Sequence, residues 1–366
     1  MNKNGNVNQQ RVSVIFLISS LKRCGPVNVL FSLISKLNLD KFTPTIFTFK
    51  SENESSRLND FKQMGVTVIQ SQGVLACIRT VKKQLKNSPY VIIVHSHGII
   101  PDLINLLCRN SKCVSISTLH SFPFEDYPMT FGKVIGTVMA FVHIAIERRL
   151  ICVACSPSIK DQLYMKSKIK VLSIANGVSF PNKWLEQYQS NRFLYLGNIS
   201  EGKNVAFLLK MFALPELSQY FLDVVGDGDL YSKMSEKYKE NTNIRFWGRV
   251  NNPHDFLNSS GYLISASLSE GLPMAVLEAL SYGLPVLLSD IPSHAMILGS
   301  GNFGLKFKLG DDQDFKEKLD HLVHQHFSRN DISNSARKLY SDTAMSKRYE
   351  KIYNEFLEQR QEDYFN

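Results

Sequence analysis

No stretch of this 366-residue chain is apolar for long enough to cross a bilayer. The most hydrophobic early run, residues 12–20, is too short, and the polar leader before it lacks the basic start and small-residue cleavage site of a secretory signal. The expected location is therefore the cytoplasm. The glycine fingerprint G-x-G-x-x-G and the P-loop G-K-[ST] are both missing, which excludes the usual dinucleotide and P-loop nucleotide sites. No D-x-D pair is flanked by apolar strand sequence, since Asp227-x-Asp229 belongs to a glycine turn. The six cysteines (24, 77, 108, 113, 152 and 155) are irregularly spaced and mostly lie in apolar runs, as in a reduced intracellular protein. Cys152 and Cys155 form a C-x-x-C on a strand, where side chains three apart face opposite ways, so neither metal nor redox chemistry is expected from them. The histidines at 321, 324 and 326 are set aside as ligands because 324 and 326 diverge on a helix.

Acidic residues are scarce in one half only. Residues 1–175 hold 22 Lys/Arg against 9 Asp/Glu, a balance of +13, whereas residues 176–366 stand at −4 within a total of +9. The basic residues are dispersed and not interleaved with exposed aromatics, which argues against a nucleic-acid surface. What the chain does have is length enough for two domains and an ordinary apolar content of 44%.

Short β-branched runs at 12–20, 44–49, 66–70, 90–95, 113–118, 151–154 and 170–174 alternate with segments of helical spacing. The alternation resumes with runs at 193–197, 221–225, 244–247, 262–266 and 285–289. This predicts an α/β protein of two Rossmann-like, doubly wound parallel sheets facing a cleft. The expected division is 1–176 for the first lobe, 177–191 for a polar join, 192–340 for the second lobe and 341–366 for a last helix. That helix carries Met345, Tyr349, Ile352, Tyr353 and Phe356 on one side and is expected to pack back, with the first lobe as a candidate surface.

The most informative stretch is 262–290, YLISASLSEGLPMAVLEALSYGLPVLLSD. It reads as strand, tight loop, helix, strand. Pro273 suits the first helical turn and Gly283 with Pro285 closes the helix, which predicts a helix over roughly 273–282. The unpaired N–H groups from Gly271 onward and the positive end of the macrodipole make an anion site there. Glu270 precedes this helix and Glu278 lies inside it, roughly 7–8 Å further along the axis. Spacing alone favours ordinary roles for both: a charge complementing the dipole and a solvated helix residue.

The surrounding words change that balance. Glu270-Gly-Leu-Pro…Glu278-Ala…Gly283-Leu-Pro-Val resembles the E-x7-E signature of retaining nucleotide-sugar glycosyltransferases of family 4, which have the GT-B fold. Leu196-Gly197-Asn198-Ile199…Lys203-Asn204 is similar to the family's G-R-L-x-x-x-K-N, and Val225-Gly226-Asp227-Gly228 to its v-G-d-G. Ile174-Ala175-Asn176-Gly177-Val178 resembles its i-p-N-G-v; His95-Ser96-His97-Gly98 and Leu119-His120 resemble its H-x-H-g and t-x-H strand ends.

The resemblance implies that Lys203 neutralises the donor diphosphate, Glu278 binds the ribose, and Glu270 grips hydroxyls of the transferred sugar. The amides of Gly271, Leu272, Met274 and Ala275 would surround phosphate and sugar, with Gly197 and Asn198 beside them. His120 would touch the donor sugar from the first lobe. Two departures stand out. Asn198 replaces the family's usual Arg, for which Arg249 could either compensate or instead stack on the base, and Met296 stands where similar proteins often have Glu. In the first lobe, Gly25 permits a turn and Pro26 starts a helix beside Lys22 and Arg23, in the loop that lies over donor phosphate and acceptor in the family.

The implied activity is transfer of a sugar from a nucleoside-diphosphate sugar to a hydroxyl acceptor with retention, without metal or other cofactor. The resemblance to bacterial surface-polysaccharide enzymes of the O-antigen and capsule type suggests a sugar or a polyprenyl-diphosphate-linked glycan as acceptor. An epimerase or hydrolase on the same fold and a non-catalytic nucleotide-sugar binder remain open. Residues 131–150 form an apolar segment bounded by Lys133 and by Arg148-Arg149. It suits either peripheral contact with anionic lipid or a buried core helix, the latter because Val138, Val142 and Ala145 are taken to spread round more than one face.

Overall fold

The computed structural model describes residues 11–365 apart from 55, 185–187 and 251, so the leader 1–10 and part of the expected join lie outside the described residues. The first sheet contains β1 (Val12–Ile18), β2 (Phe42–Thr48), β3 (Thr67–Gln70), β4 (Ile92–His97), β5 (Cys113–Leu119), β6 (Ile151–Ala154) and β7 (Leu172–Ser173), in spatial order β3-β2-β1-β4-β5-β6-β7. The second contains β8 (Gln189–Leu196), β9 (Phe221–Val225), β10 (Ile244–Gly248), β11 (Ser260–Ser265), β12 (Val286–Ser289) and β13 (Gly304–Phe307), in order β10-β9-β8-β11-β12-β13. Every pairing is parallel. The expected fold class of two doubly wound lobes is the one observed.

In each sheet the chain runs outward in one direction, then returns to the centre and builds in the other. The reversals fall between β1 and β4 and between β8 and β11. Loops leaving the carboxyl ends of such neighbours part to opposite faces and leave a crevice, the usual ligand position in open parallel sheets.

β4 and β5 are buried along their whole length, as strands covered on both faces of a parallel sheet are, although His95, Ser96, His97, Ser115, Ser117 and Thr118 interrupt their apolar sequence. β13 is the strand absent from the expected set. Its sequence GLKF is only partly covered and has no β-branched residue, so nothing in its pattern marks a strand. β8 begins at Gln189, inside the expected join, and its first residue pairs with Ser260.

One apolar cluster crosses between the lobes, joining Leu119, Cys155, Ile159 and Leu163 of the first to Leu272, Val276, Leu277 and Ile297 of the second. The last helix, Asp342–Phe365, leaves the second lobe and lies on the helix Gly25–Lys36. It inserts Met345, Tyr349, Ile352, Tyr353 and Leu357 into the first-lobe core, while Phe356 is only partly covered. Tyr353 is fully buried, and its hydroxyl lies 2.7 Å from His95 Nδ1. Tyr353→Ala is therefore expected to cost about 3–5 kcal/mol, the range for deleting a buried aromatic. Urea denaturation would show the loss.

Two expectations need correction. Residues 131–150 are not one helix: Pro123–Phe131 and Lys133–Glu147 meet at Gly132, whose φ of 81° breaks the run. Val138, Val142 and Ala145 do not spread over several faces but share the outward one, because steps of 4 and 3 residues return to nearly the same side of a helix. Gly25 is the other. It is the first residue of its helix, has no positive φ and faces open space where a Cβ would stand, so the turn does not require glycine there.

Candidate active site

The chain crosses from β8 into a short 3-10 turn, Glu201–Lys203, and then at Asn204 (φ 49°) into the helix Val205–Phe212. The Leu268 N–H, beyond β11, donates to the Gly202 carbonyl at 2.9 Å. That bond ties the two loops at the switch point and brings Lys203 to Glu270, 67 residues later. Lys203 Nζ lies 2.5 Å from Glu270 Oε1, to which the Ser267 hydroxyl also donates at 2.8 Å. Behind them Ser289 Oγ donates to the Ser267 carbonyl, and the buried His294 bonds Ser289, which fixes the loop from below. Burial pushes the His294 pKa down to about 4, so it is a neutral support.

The glutamate loop also touches the first lobe. A Cβ on Gly271 would stand 1.9 Å from the His120 carbonyl oxygen, so only glycine permits this approach. Ser156 Oγ caps the helix Pro157–Ser167 and donates to the Gly271 carbonyl at 2.9 Å; Asn176 Nδ2 reaches the Leu272 carbonyl at 3.4 Å and Ser269 Oγ donates to Glu125 at 2.7 Å. The following helix is Met274–Ser281, with Pro273 as its cap in an extended conformation and not in its first turn. Leu272 is buried, while Met274 and Ala275 are partly covered.

Glu278 projects from this helix towards the first lobe, where Arg57 is close enough to influence its charge. Burial raises its pKa to about 7, and the Arg57 guanidinium only partly offsets the rise. Arg57 itself bonds Asn28 and Asp60 and covers the Phe31 ring, and Arg23 shares Asp60. Arg57 was not among the residues expected from sequence. The arginine has no motif around it, and its loop is held beyond the end of β1 by the bond from its N–H to the Leu21 carbonyl, by the Lys22–Ser56 bridge and by the Leu21 N–H bonding Glu52.

A cavity of about 610 Å³ opens on the first lobe, and Pro26, His97, His120, Asp126, Phe131 and Met139 are among the residues that line it. His97 Nδ1 and His120 Nε2 are 2.9 Å apart, and each residue keeps its other ring nitrogen buried without a hydrogen-bond partner among the described residues. Burial holds the His120 pKa near 4 and His97 well below the usual histidine range, so both are neutral hydrogen-bonding groups at physiological pH. The cavity thus ends at His120, whose backbone meets the loop carrying Glu270.

The remaining expected donor residues lie along the same edge of the second sheet. Gly197 (φ 153°) is packed so closely that a Cβ on Gly226 would meet its carbonyl oxygen at 1.8 Å. Asn198 is exposed beside Gly228, and the Tyr195 hydroxyl donates to its carbonyl. Arg249 is exposed beyond β10, two strands from β8, and the structure does not bring it to the Lys203–Glu270 pair.

Among the described residues, one set has metal-ligand spacing: Asp102, His143 and Glu147, buried, with one ligand atom from each within 4.8 Å of the others. It contains none of the expected site residues. Hydrogen bonds tie it together: His143 Nε2 bonds Asp102 at 2.8 Å and lies near Glu147, to which Ser117 donates, while Tyr127 OH meets His143 Nδ1 at 2.7 Å, and Asp102 Oδ1 and Glu147 Oε1 have no hydrogen-bond partner among the described residues. Burial disfavours the imidazolium, but the two carboxylates outweigh it and raise the pKa to about 9.

Residues 179–339 match the family model described as Glycosyl transferases group 1. Over 94% of its length the chain is 22% identical to the O-antigen biosynthesis glycosyltransferase WclY of Escherichia coli, covering 98% of that protein. It is 25% identical to the UDP-Gal:alpha-D-GlcNAc-diphosphoundecaprenol alpha-1,3-galactosyltransferase of the same species, over 75% of this chain and 77% of the other. In fold it resembles Anabaena Alr3699/HepE, solved in complex with UDP and glucose, with a TM-score of 0.76, 13% identity and coverage of 94% of this chain and all of that one. Residues 179–339 are thus a group 1 glycosyltransferase domain, in a chain whose two facing Rossmann-like lobes have the GT-B fold.

Proposed function

We propose that the protein transfers a sugar, with retention of anomeric configuration, from a nucleoside-diphosphate sugar to a hydroxyl of a polyprenyl-diphosphate-linked glycan during surface-polysaccharide synthesis. The observation that carries this reading is the meeting of the Glu270 loop with His120: the donor-side ion pair and the first-lobe cavity come together at one point. A sugar held by Glu270 beside that contact has its anomeric carbon next to whatever fills the cavity. The WclY and diphosphoundecaprenol galactosyltransferase relatives support the acceptor class.

In this scheme Lys203 and the amides at the start of Met274–Ser281 stabilise charge gathering on the departing diphosphate as the anomeric carbon gains oxocarbenium character. The residues present supply that stabilisation without a metal ion. Glu270 binds sugar hydroxyls, and a neutral His120, which lines the cavity, contacts the same sugar. Acceptor hydroxyls would enter through the first-lobe cavity, past Asp126. A thermal-shift screen against UDP, GDP, ADP and their sugars, followed by analysis of the product's anomeric configuration, tests the proposal. Consumption of donor in the absence of any acceptor would favour a hydrolase or epimerase, and binding without turnover a sensor.

Glu278 gives the scheme a pH dependence. Ribose hydroxyls donate to a carboxylate, and a group with a pKa near 7 is mostly protonated at pH 6 and mostly ionised at pH 8. Nucleoside-diphosphate affinity should therefore strengthen about tenfold between those values. Glu278→Gln should flatten this part of the profile in isothermal titration, leaving only the phosphate's own titration.

A further inference from the structure

The helix Lys133–Glu147 turns its longest apolar stripe to the outside. Its two titratable residues with inward side chains, His143 and Glu147, are buried, together with Gly136, Ala140, Ile144 and Ile146. Its outward side presents Val134, Ile135, Val138, Phe141 and Val142, each at least 50% exposed, and Phe131 just before it is 49% exposed. Soluble helices do the reverse, and an exposed apolar patch of this continuity marks a contact surface. The inversion is fixed by packing. A Cβ on Gly136 would stand 2.3 Å from Pro128 N, so this side must face the preceding helix. Asp102 and Ser117 then hold His143 and Glu147 inward.

We propose that this ridge is the surface by which the protein lies on an anionic bilayer. The charge around it fits that occupant. Lys133 stands at one end and Arg148 and Arg149 at the other, all exposed, and Lys166 sits over the Phe124 ring, which itself packs on Phe141. No acidic residue lies on the outward side of 131–150, where Glu147, the one carboxylate, is buried. Such a rim binds anionic headgroups while the apolar side chains enter the headgroup boundary. A second copy packed about a twofold axis would set the same basic rim against itself. Phe131 belongs to the ridge and also lines the cavity that ends at His120, and Met139 of Lys133–Glu147 lines it too. This continuity gives a lipid-linked glycan a short route from the bilayer to the reacting centre, a step that rests on the acceptor reading above.

The test is flotation of the full chain with phosphatidylcholine vesicles, with and without phosphatidylglycerol, comparing wild type with Val134→Glu/Val138→Glu. Wild type should float with the anionic vesicles, less so as salt rises. The variant should partition at least about tenfold less, with an unchanged melting temperature. Failure of wild type to float, equal flotation of the variant, or a wild-type dimer that the variant dissociates in sedimentation would overturn the surface. Flotation as expected with no transfer to a polyprenyl-diphosphate glycan would leave the surface standing and remove the acceptor reading.

Discussion

Lys203→Ala is expected to lower the turnover number about 10²–10³-fold, the usual effect of removing one preorganised group that stabilises developing negative charge. Two features place this residue at the upper end. Asn198 occupies the position of the family's second cation, so the ammonium has no neighbouring arginine to share its work. Arg249, the other candidate, stays two strands away. The effect should appear mainly in kcat, because charge on the diphosphate is greater in the transition state than in the bound donor, and an interaction made there more than in the ground state does not lower KM equally.

Lys203→Arg restores charge but not a compact ammonium beside Glu270, and partial recovery is expected. The fold should be unaffected. The Lys203–Glu270 pair is partly open to solvent, and such pairs contribute about 0–1 kcal/mol. Single-turnover kinetics beside thermal melts separate these outcomes, and wild-type turnover in Lys203→Ala would remove the residue from the mechanism.

How much of this was legible beforehand varies by level. Strands such as β1 declare themselves because burial on both faces demands near-continuous apolar sequence. β13 does not, since its place is secured by pairing with β12 rather than by its own residues. Lys203, Glu270 and Glu278 were readable as motif members. The direct Lys203–Glu270 contact was not, because it depends on the Leu268–Gly202 bond between loops far apart in sequence. The reversed helix was legible as an apolar segment only. Periodicity gives the angular distribution of side chains but not which side faces inward, and that is decided by Gly136 against Pro128 and by partners for His143 supplied from other elements. Arg57 and the unpartnered nitrogens of His97 and His120 carry no sequence signal at all, since they arise where the lobes and their loops meet.

That meeting point is most sharply tested by Gly271→Ala. The added methyl would lie 1.9 Å from the His120 carbonyl oxygen and 2.9 Å from Cys155 Sγ. Its nearest obstacle is backbone, so no side-chain rotation relieves it and the loop must withdraw from the first lobe. Overpacking of this kind costs about 1–3 kcal/mol in stability. Function should suffer more, because Glu270 precedes the displaced residue directly and a shift of about 1 Å in a positioning group can cost about 10²-fold in rate. Ser156→Ala makes the control: it removes the hydroxyl that holds the Gly271 carbonyl and caps Pro157–Ser167, each worth about 1 kcal/mol, without pushing the loop away. Nucleoside-diphosphate affinity should change little in either variant, since Lys203 and Glu278 both remain on the second lobe. A Gly271→Ala enzyme with normal kcat would mean that the lobes part at this contact during turnover, and that sugar transfer does not take place beside the His120 carbonyl.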